Sequence, residues 1–77
     1  MANLFKPSVQ YKNRNGESVS HTLPTYEEVK RKMNHFMDDS INNNISVYRS
    51  RRGQWGEWWE HWCSVKGKPT IVNQGWQ

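Results

Sequence analysis

The sequence predicts a single small α+β domain in which one α-helix packs on an antiparallel β-sheet, in the order ββαβββ. Three observations lead to this prediction. Two short alternating runs flank an Asn-Gly turn, a stretch with helical periodicity follows a capping sequence, and the C-terminal third is rich in β-branched and aromatic residues between glycine turns. A chain of 77 residues has room for one domain, which we place over residues 1–77.

The first predicted element is a β-hairpin over about residues 8–22. The alternating runs on both sides of the turn are typical of half-buried strands. A three-residue loop over 14–16 pairs Tyr11 with Val19, so that both side chains lie on one face, and Gly16 takes the left-handed conformation that this loop requires. A two-residue loop would put Val19 on the opposite face, so the single buried face favours the longer loop.

The second predicted element is a helix over about residues 26–42. Thr25 and Glu28 have the spacing of a capping box. Apolar residues then recur three or four positions apart and form one stripe that would face the sheet. The members of this stripe are Tyr26, Val29, Met33, Phe36, Met37 and Ile41. Asn residues at 42–44 mark the predicted end, because Asn tolerates the left-handed conformation that follows many helices.

Residues 54–65 contain four of the five tryptophans and permit two interpretations. As a helix, the tryptophans all fall on one arc. As a strand, Trp58 and Trp62 lie on one face and Trp59 on the other. Two nearby glycines count against a helix by about 1 kcal/mol each, and Trp is a strand former. We therefore favour a Trp-rich C-terminal sheet over about 45–73, and the alternative is a second helix over 54–65, which gives ββαβαβ.

Composition and charge exclude several protein classes. The chain has 11 Lys and Arg against 7 Asp and Glu, a net charge of +4 and a pI near 9.5. Ten aromatic residues at a mean hydropathy of −1.08 predict a thin core of few large side chains. A partner or a second copy of the chain, as in a homodimer, would stabilise such a core. With one cysteine, no apolar run near about 18 residues and no secretory leader, we expect a cytoplasmic protein without membrane contact.

Metal and catalytic chemistry are not predicted. His61 and Cys63 are two residues apart, so a strand would place them on one face as half of a zinc site. No CxxC or HxxxH spacing supplies further ligands, and a half-buried Cys beside a surface His is the favoured interpretation. The chain has no Gly-rich phosphate loop and no Ser nucleophile motif. We therefore expect no enzymatic activity, no cofactor and no metal.

A binding function is predicted for the Arg- and Trp-rich stretch. Proteins that bind single-stranded nucleic acid combine basic grooves with aromatic side chains on which bases stack, and Trp and Arg are also enriched in protein-interface hot spots. We expect a nucleic-acid-binding protein with a preference for single strands. The alternative is a protein-interaction module of phage or mobile-element type that inhibits or adapts a host protein. The predicted binding residues are Arg49, Arg51, Arg52, Trp55, Trp58, Trp59 and Trp62. In a third interpretation the tryptophans are core residues and the arginines cap a turn.

Overall fold

The computed structural model describes residues 6–50 and 56–76 and confirms the predicted order ββαβββ. The strands are β1 (Ser8–Lys12), β2 (Ser18–Thr22), β3 (Asn44–Ser50), β4 (Glu57–Val65) and β5 (Lys68–Trp76), and the helix is α1 (Tyr26–Asp39). The sheet order is β2-β1-β3-β4-β5, and every neighbouring pair is antiparallel. Because β2 and β3 run in the same direction on either side of β1, α1 crosses over one face of the sheet.

The first hairpin has the predicted register, in which Tyr11 pairs with Val19. Gly16 in the loop has a φ of 81°, a conformation that costs glycine little. The Asn13 side-chain oxygen accepts hydrogen bonds from two loop amides at 3.0 Å each. The loop therefore fixes the register, which brings the apolar residues of both strands under the helix.

Helix α1 begins where the sequence predicts. Thr25 is the N-cap residue, and its hydroxyl oxygen accepts a hydrogen bond from the Glu28 amide at 3.3 Å. Four members of the predicted stripe, from Val29 to Met37, are buried against the sheet. Helix periodicity and the cap together explain this part of the chain.

The helix ends three residues before the predicted end at 42. Ser40 leaves the helical conformation, and its hydroxyl donates a hydrogen bond to the carbonyl oxygen of Met37 at 3.0 Å. The amide of Ile41 then donates to the carbonyl oxygen of Lys12 at 2.9 Å, which aligns the chain beside β1. Ile41 is consequently 53% exposed, and its predicted membership of the buried stripe is wrong.

The Trp-rich segment forms strand β4, and the alternative second helix is wrong. β3 and β5 pair with β4 along both of its edges. Sheet pairing satisfies the backbone hydrogen bonds of this segment on both sides, so tertiary context overrides a helical periodicity. Trp58 and Trp62 lie on the face toward α1 and Trp59 lies on the other face, as a strand requires.

β5 continues to Trp76, beyond the predicted end of the sheet near 73. The last pair of the ladder joins Trp58 to Trp76. A bulge leaves Val72 without a partner in β4, because His61 pairs with Asn73 and Trp62 pairs with Ile71. The extra residue returns Ile71 and Trp76 to the same face of the sheet, the face toward α1.

The hydrophobic core lies between α1 and one face of the sheet. The buried apolar residues are Val9, Tyr11, Leu23, Val29, Met33, Phe36, Met37, Ile45, Val47 and Trp62. Among residues 6–50 and 56–76, no element covers the opposite face, and no helix is long and apolar enough to cross a membrane. In the part of the chain that the structure describes, one face of the sheet is therefore uncovered.

Candidate functional site

A buried carboxylate organises the side of β4 that faces the helix. Glu60 is 3% exposed. Its two oxygens lie 2.7 and 2.8 Å from the Tyr26 hydroxyl, and each accepts a hydrogen bond at 3.0 Å from an indole N–H, one of Trp58 and one of Trp62. The Arg49 Nη2 atom lies 3.6 Å from the same carboxylate. These five residues form what we call the Glu60 cluster, in which the buried charge has the partners that its burial requires.

Arg49 contacts both Glu60 and Tyr26 of this cluster. Its guanidinium carbon lies 4.0 Å from the centre of the Tyr26 ring, within the range of a cation–π interaction. The side chain is 22% exposed, and its Nε atom is buried without a hydrogen-bond partner among the described residues. The positive charge of Arg49 therefore stabilises Glu60 beneath the helix and lies on the face opposite Trp59.

A pair of tryptophans lies on the helix-facing side of the sheet, at the end of β5. Trp58 and Trp76 are directly opposite each other, with ring centres 5.4 Å apart and an angle of 71° between the ring planes. This edge-to-face arrangement is favourable for aromatic rings. Trp76 is 56% exposed, so the pair adds an aromatic surface at the end of β5.

We call the face of the sheet that points away from α1 the open face. Side chains alternate along each strand, and the strand register places the members of the open face together. The described members are Ser8, Gln10, Lys12, Ser18, Ser20, Thr22, Asn44, Ser46, Tyr48, Glu57, Trp59, His61, Cys63, Val65, Lys68, Thr70, Asn73 and Gly75. Most are small or hydrogen-bonding residues, and the two large aromatic side chains among them are Tyr48 and Trp59.

Tyr48 and Trp59 form the aromatic centre of the open face. They are direct cross-strand neighbours on β3 and β4, and both are partly exposed. On the other side of Trp59, Gly75 of β5 has no side chain. The position that a β-carbon would take at Gly75 lies 3.4 Å from Trp59 Cζ2 and 3.6 Å from Cε2. The indole therefore lies beside the glycine backbone, where the absence of a side chain leaves room for the ring.

Charge is distributed unequally between the two sides of the sheet. Four of the seven acidic residues are on α1, one is in the hairpin turn and Glu60 is buried beneath the helix. Glu57, at the first position of β4, is the one acidic residue on the open face. Lys12 and Lys68 are exposed on that face. The basic run of α1 is paired internally, because Lys30 and Arg31 contact helix glutamates at 3.3 and 2.6 Å.

Three polar side chains meet beside the aromatic centre. Asn44 Oδ1 lies 3.0 Å from Cys63 Sγ and 3.2 Å from His61 Nε2, and the last two atoms are 3.8 Å apart. The same imidazole nitrogen faces both the thiol and the amide. A Cys–His catalytic pair uses one ring nitrogen for the thiol and the other for an orienting group, so this geometry does not support a nucleophilic role.

A cavity of about 310 Å³ opens between α1 and the first hairpin. On its wall the Tyr11 hydroxyl donates a hydrogen bond to Asp39 Oδ2 at 2.7 Å and lies 3.2 Å from His21 Nε2. The His21 ring stacks on Phe36, with centres 5.4 Å apart. Burial first, and then the hydrogen bond and charge of Asp39, raise the pKa of Tyr11 to about 12. These polar groups satisfy one another, so the cavity wall is a stabilising contact between helix and hairpin.

The structure separates the predicted binding residues into two groups. Arg49, Trp58 and Trp62 converge on Glu60 on the side toward α1, and Trp62 is buried. Trp59 lies on the open face, without Arg49 beside it. The remaining three predicted residues, Arg51, Arg52 and Trp55, lie outside the described residues.

Two residues of these surfaces were absent from the predicted set. Alternation along β3 puts Ile45 and Val47 inward and Tyr48 outward, so the strand pattern already contained the signal for Tyr48. Glu60 shares its strand face with Trp58 and Trp62, and a charged residue between two inward tryptophans is the signal for a buried carboxylate. Two of its partners, Trp58 and Trp62, lie on the same strand. The other two, Tyr26 of α1 and Arg49 of β3, are brought to it only by the fold.

Comparison of the chain with protein-family models, curated proteins and solved structures gave no match. Within residues 6–50 and 56–76, no three His, Cys, Asp or Glu side chains are grouped as a metal site.

Proposed function

We propose that this chain is a non-enzymatic protein that binds single-stranded nucleic acid on the open face of its sheet. The observation that carries the proposal is the cross-strand pair of Tyr48 and Trp59, two partly exposed aromatic rings on a face that no described element covers. Adjacent rings on neighbouring strands provide stacking surfaces for successive bases, and each stacked base contributes about 1–3 kcal/mol.

Other residues of the open face, some of them several residues along the strands from the pair, suit a nucleic-acid strand. Gln10, Ser46 and Asn73 offer donors and acceptors to base edges and sugars, and Lys12 and Lys68 offer charge to phosphates. The net charge of +4 supports association with a polyanion. Aromatic rings on a sheet face stack directly on bases that are unpaired, whereas the major groove of a duplex admits a helix or a two-stranded ribbon. A single strand is therefore the favoured ligand.

The Glu60 cluster has a positioning role in this proposal. It fixes β4 against α1 through Trp58 and Trp62, and β4 carries Trp59 on its other face. Rigid strands hold binding side chains more precisely than loops do. The predicted residues Arg49, Trp58 and Trp62 thus support the binding face from behind, and Trp59 makes the contact with the base.

The test is fluorescence anisotropy of labelled single-stranded oligonucleotides, titrated with protein at about 50 mM salt, where non-specific binding is strong. We expect Trp59→Ala and Tyr48→Ala each to weaken binding by about 5- to 150-fold, which corresponds to about 1–3 kcal/mol per base. The matched control is Trp76→Ala, which removes another exposed tryptophan from the opposite side of the sheet and should leave the affinity within about twofold.

Two results would overturn the proposal. One is the absence of binding by the unaltered chain at low salt. The other is an equal loss of affinity in Trp59→Ala and Trp76→Ala, which would place the contact elsewhere. A complementary duplex should bind more weakly than either of its strands.

A protein-interaction role is the second candidate, and the exposed Trp76 favours it. The ring is 56% exposed beside Trp58, and aromatic residues of this kind anchor protein interfaces. Capture of a stoichiometric protein from nuclease-treated lysate, lost in Trp76→Ala and retained in Trp59→Ala, would support this role. The opposite pattern would exclude the Trp76 surface as the contact.

A further inference from the structure

We propose that Asn44, His61 and Cys63 form a zinc site on the open face. The inference starts from the three atoms that converge there: the amide oxygen of Asn44, the Nε2 nitrogen of His61 and the thiol sulfur of Cys63. Their separations are 3.2, 3.0 and 3.8 Å for the Asn–His, Asn–Cys and Cys–His pairs. This proposal is independent of nucleic-acid binding.

The separations have the size of one face of a zinc coordination tetrahedron. A point roughly 2.0 Å from all three atoms exists in their plane, and moving it out of the plane by about 1 Å lengthens the three distances to about 2.2 Å, close to the ~2.0–2.3 Å of zinc–nitrogen, zinc–oxygen and zinc–sulfur bonds. A metal ion therefore fits with small movements of the side chains. The fourth tetrahedral position stays open for water or another donor.

Two of the three donors, the thiol of Cys63 and the imidazole of His61, favour zinc over harder cations. Thiolate and imidazole bind zinc well, whereas magnesium and calcium prefer oxygen ligands only. Cys63 and His61 lie two residues apart on β4, and Asn44 is the direct partner of Cys63 on β3. Paired strands hold the three side chains in place before the ion arrives, which lowers the cost of organising the site.

The surroundings are compatible with a cation. The cross-strand partners of His61 and Cys63 on the open face, other than Asn44, are Ser46, Asn73 and Thr70. All three are uncharged and polar. Both ligands on β4 are partly exposed, so an ion reaches them from solvent.

The test uses the tag-free full chain and two metal probes. Co²⁺ should give the thiolate-to-metal charge-transfer absorption of a cysteine-bound ion. Added Zn²⁺ should displace the Co²⁺ and remove this absorption. Calorimetry should give one Zn²⁺ per chain. We expect Cys63→Ser to abolish the absorption band, and Cys63→Ser and His61→Ala each to weaken zinc binding at least tenfold. The control is His35→Ala, which removes an exposed imidazole from α1 and should change the affinity by less than about twofold.

Circular dichroism of each variant separates loss of the site from loss of the fold, and substitutions at partly exposed positions should leave the spectrum unchanged. Asn44→Ala should weaken zinc binding while retaining the charge-transfer band, because the thiolate remains. Absence of the cobalt band in the unaltered chain, full zinc affinity in folded Cys63→Ser, or one Zn²⁺ per two chains would overturn the proposal.

Discussion

The Tyr26 hydroxyl, at the first position of α1, lies 2.7 and 2.8 Å from the two carboxylate oxygens of Glu60 in the middle of β4. Burial, and then the hydrogen bond and charge of Glu60, raise the pKa of Tyr26 well above its ordinary value of 10.0. The contact joins residues 34 positions apart in the chain. It anchors the start of the helix to the strand that carries three tryptophans in the described structure.

Glu60→Gln should destabilise the fold by about 2–4 kcal/mol. The substitution removes the charge that Arg49 faces and places amide hydrogens against the indole and phenol donors, and losses of this size follow the breaking of buried charged networks. Urea denaturation measures the change in the free energy of unfolding. The control is Glu27→Gln, which breaks an exposed pair with Lys30 and should cost less than about 0.5 kcal/mol. Equal effects of the two substitutions would contradict the structural role of Glu60.

Stability should fall as the pH rises from about 10 toward about 12, in part through Tyr11. The folded state holds the Tyr11 proton more tightly than the unfolded state, since folding raises the pKa of Tyr11 from 10.0 to about 12. The stabilisation is therefore complete below pH 10 and is lost as the pH passes through that window. Denaturation measured in small pH steps should show a shallower decline for Tyr11→Phe than for the unaltered chain. Identical slopes would show that Tyr11 does not contribute.

Ile41 and Ile45 should respond differently to the same substitution. Ile45→Ala should cost about 2–5 kcal/mol, because this side chain is fully buried. Ile41→Ala should change stability by less than about 0.5 kcal/mol, because the side chain extends into solvent after the end of the helix. If Ile45→Ala leaves too little folded protein to measure, Ile45→Val should still cost about 0.5–1.5 kcal/mol. Similar costs for the two alanine variants would mean that the helix extends to 42.

Gly75→Val should weaken oligonucleotide binding by about fivefold or more while the chain stays folded. The branched side chain would occupy the space over which the Trp59 indole lies, so the ring would be displaced from its stacking position. Gly75→Ala is the matched control, because its β-carbon would lie 3.4 Å from Trp59 Cζ2, an ordinary contact. Anisotropy titration of both variants measures the difference. Unchanged affinity in Gly75→Val would show that binding does not depend on the position of the Trp59 ring.

Local sequence signals were sufficient for the hairpin and for the start of the helix. The position of Gly16 and the demand for one apolar face determine the pairing of Tyr11 with Val19, and Thr25 with Glu28 determines the cap. Both depend on residues within a few positions of one another, where backbone preference and capping act directly. The end of the helix was less predictable, since the chain leaves the helix at Ser40 and the next amide, that of Ile41, donates a hydrogen bond to Lys12 of β1.

The Trp-rich segment shows the limit of such signals. Helical periodicity and strand propensity favoured different structures there, and pairing with β3 and β5 decided the outcome. The same pairing decided on which face of the sheet each side chain lies. It places Arg49 and Trp58 beside the buried carboxylate of Glu60 and Tyr48 next to Trp59 on the open face. Neither neighbour relationship follows from spacing along the chain.

The sequence alone determined that this chain is one small α+β unit, where its turns and caps lie, and that its aromatic and basic residues exceed the needs of a minimal core. These properties follow from composition and short-range backbone preference. The tertiary structure decided which tryptophans are buried, because burial depends on the strand register and on the face that α1 covers. It also brought Asn44 to His61 and Cys63, a contact between strands that no local pattern in the chain encodes.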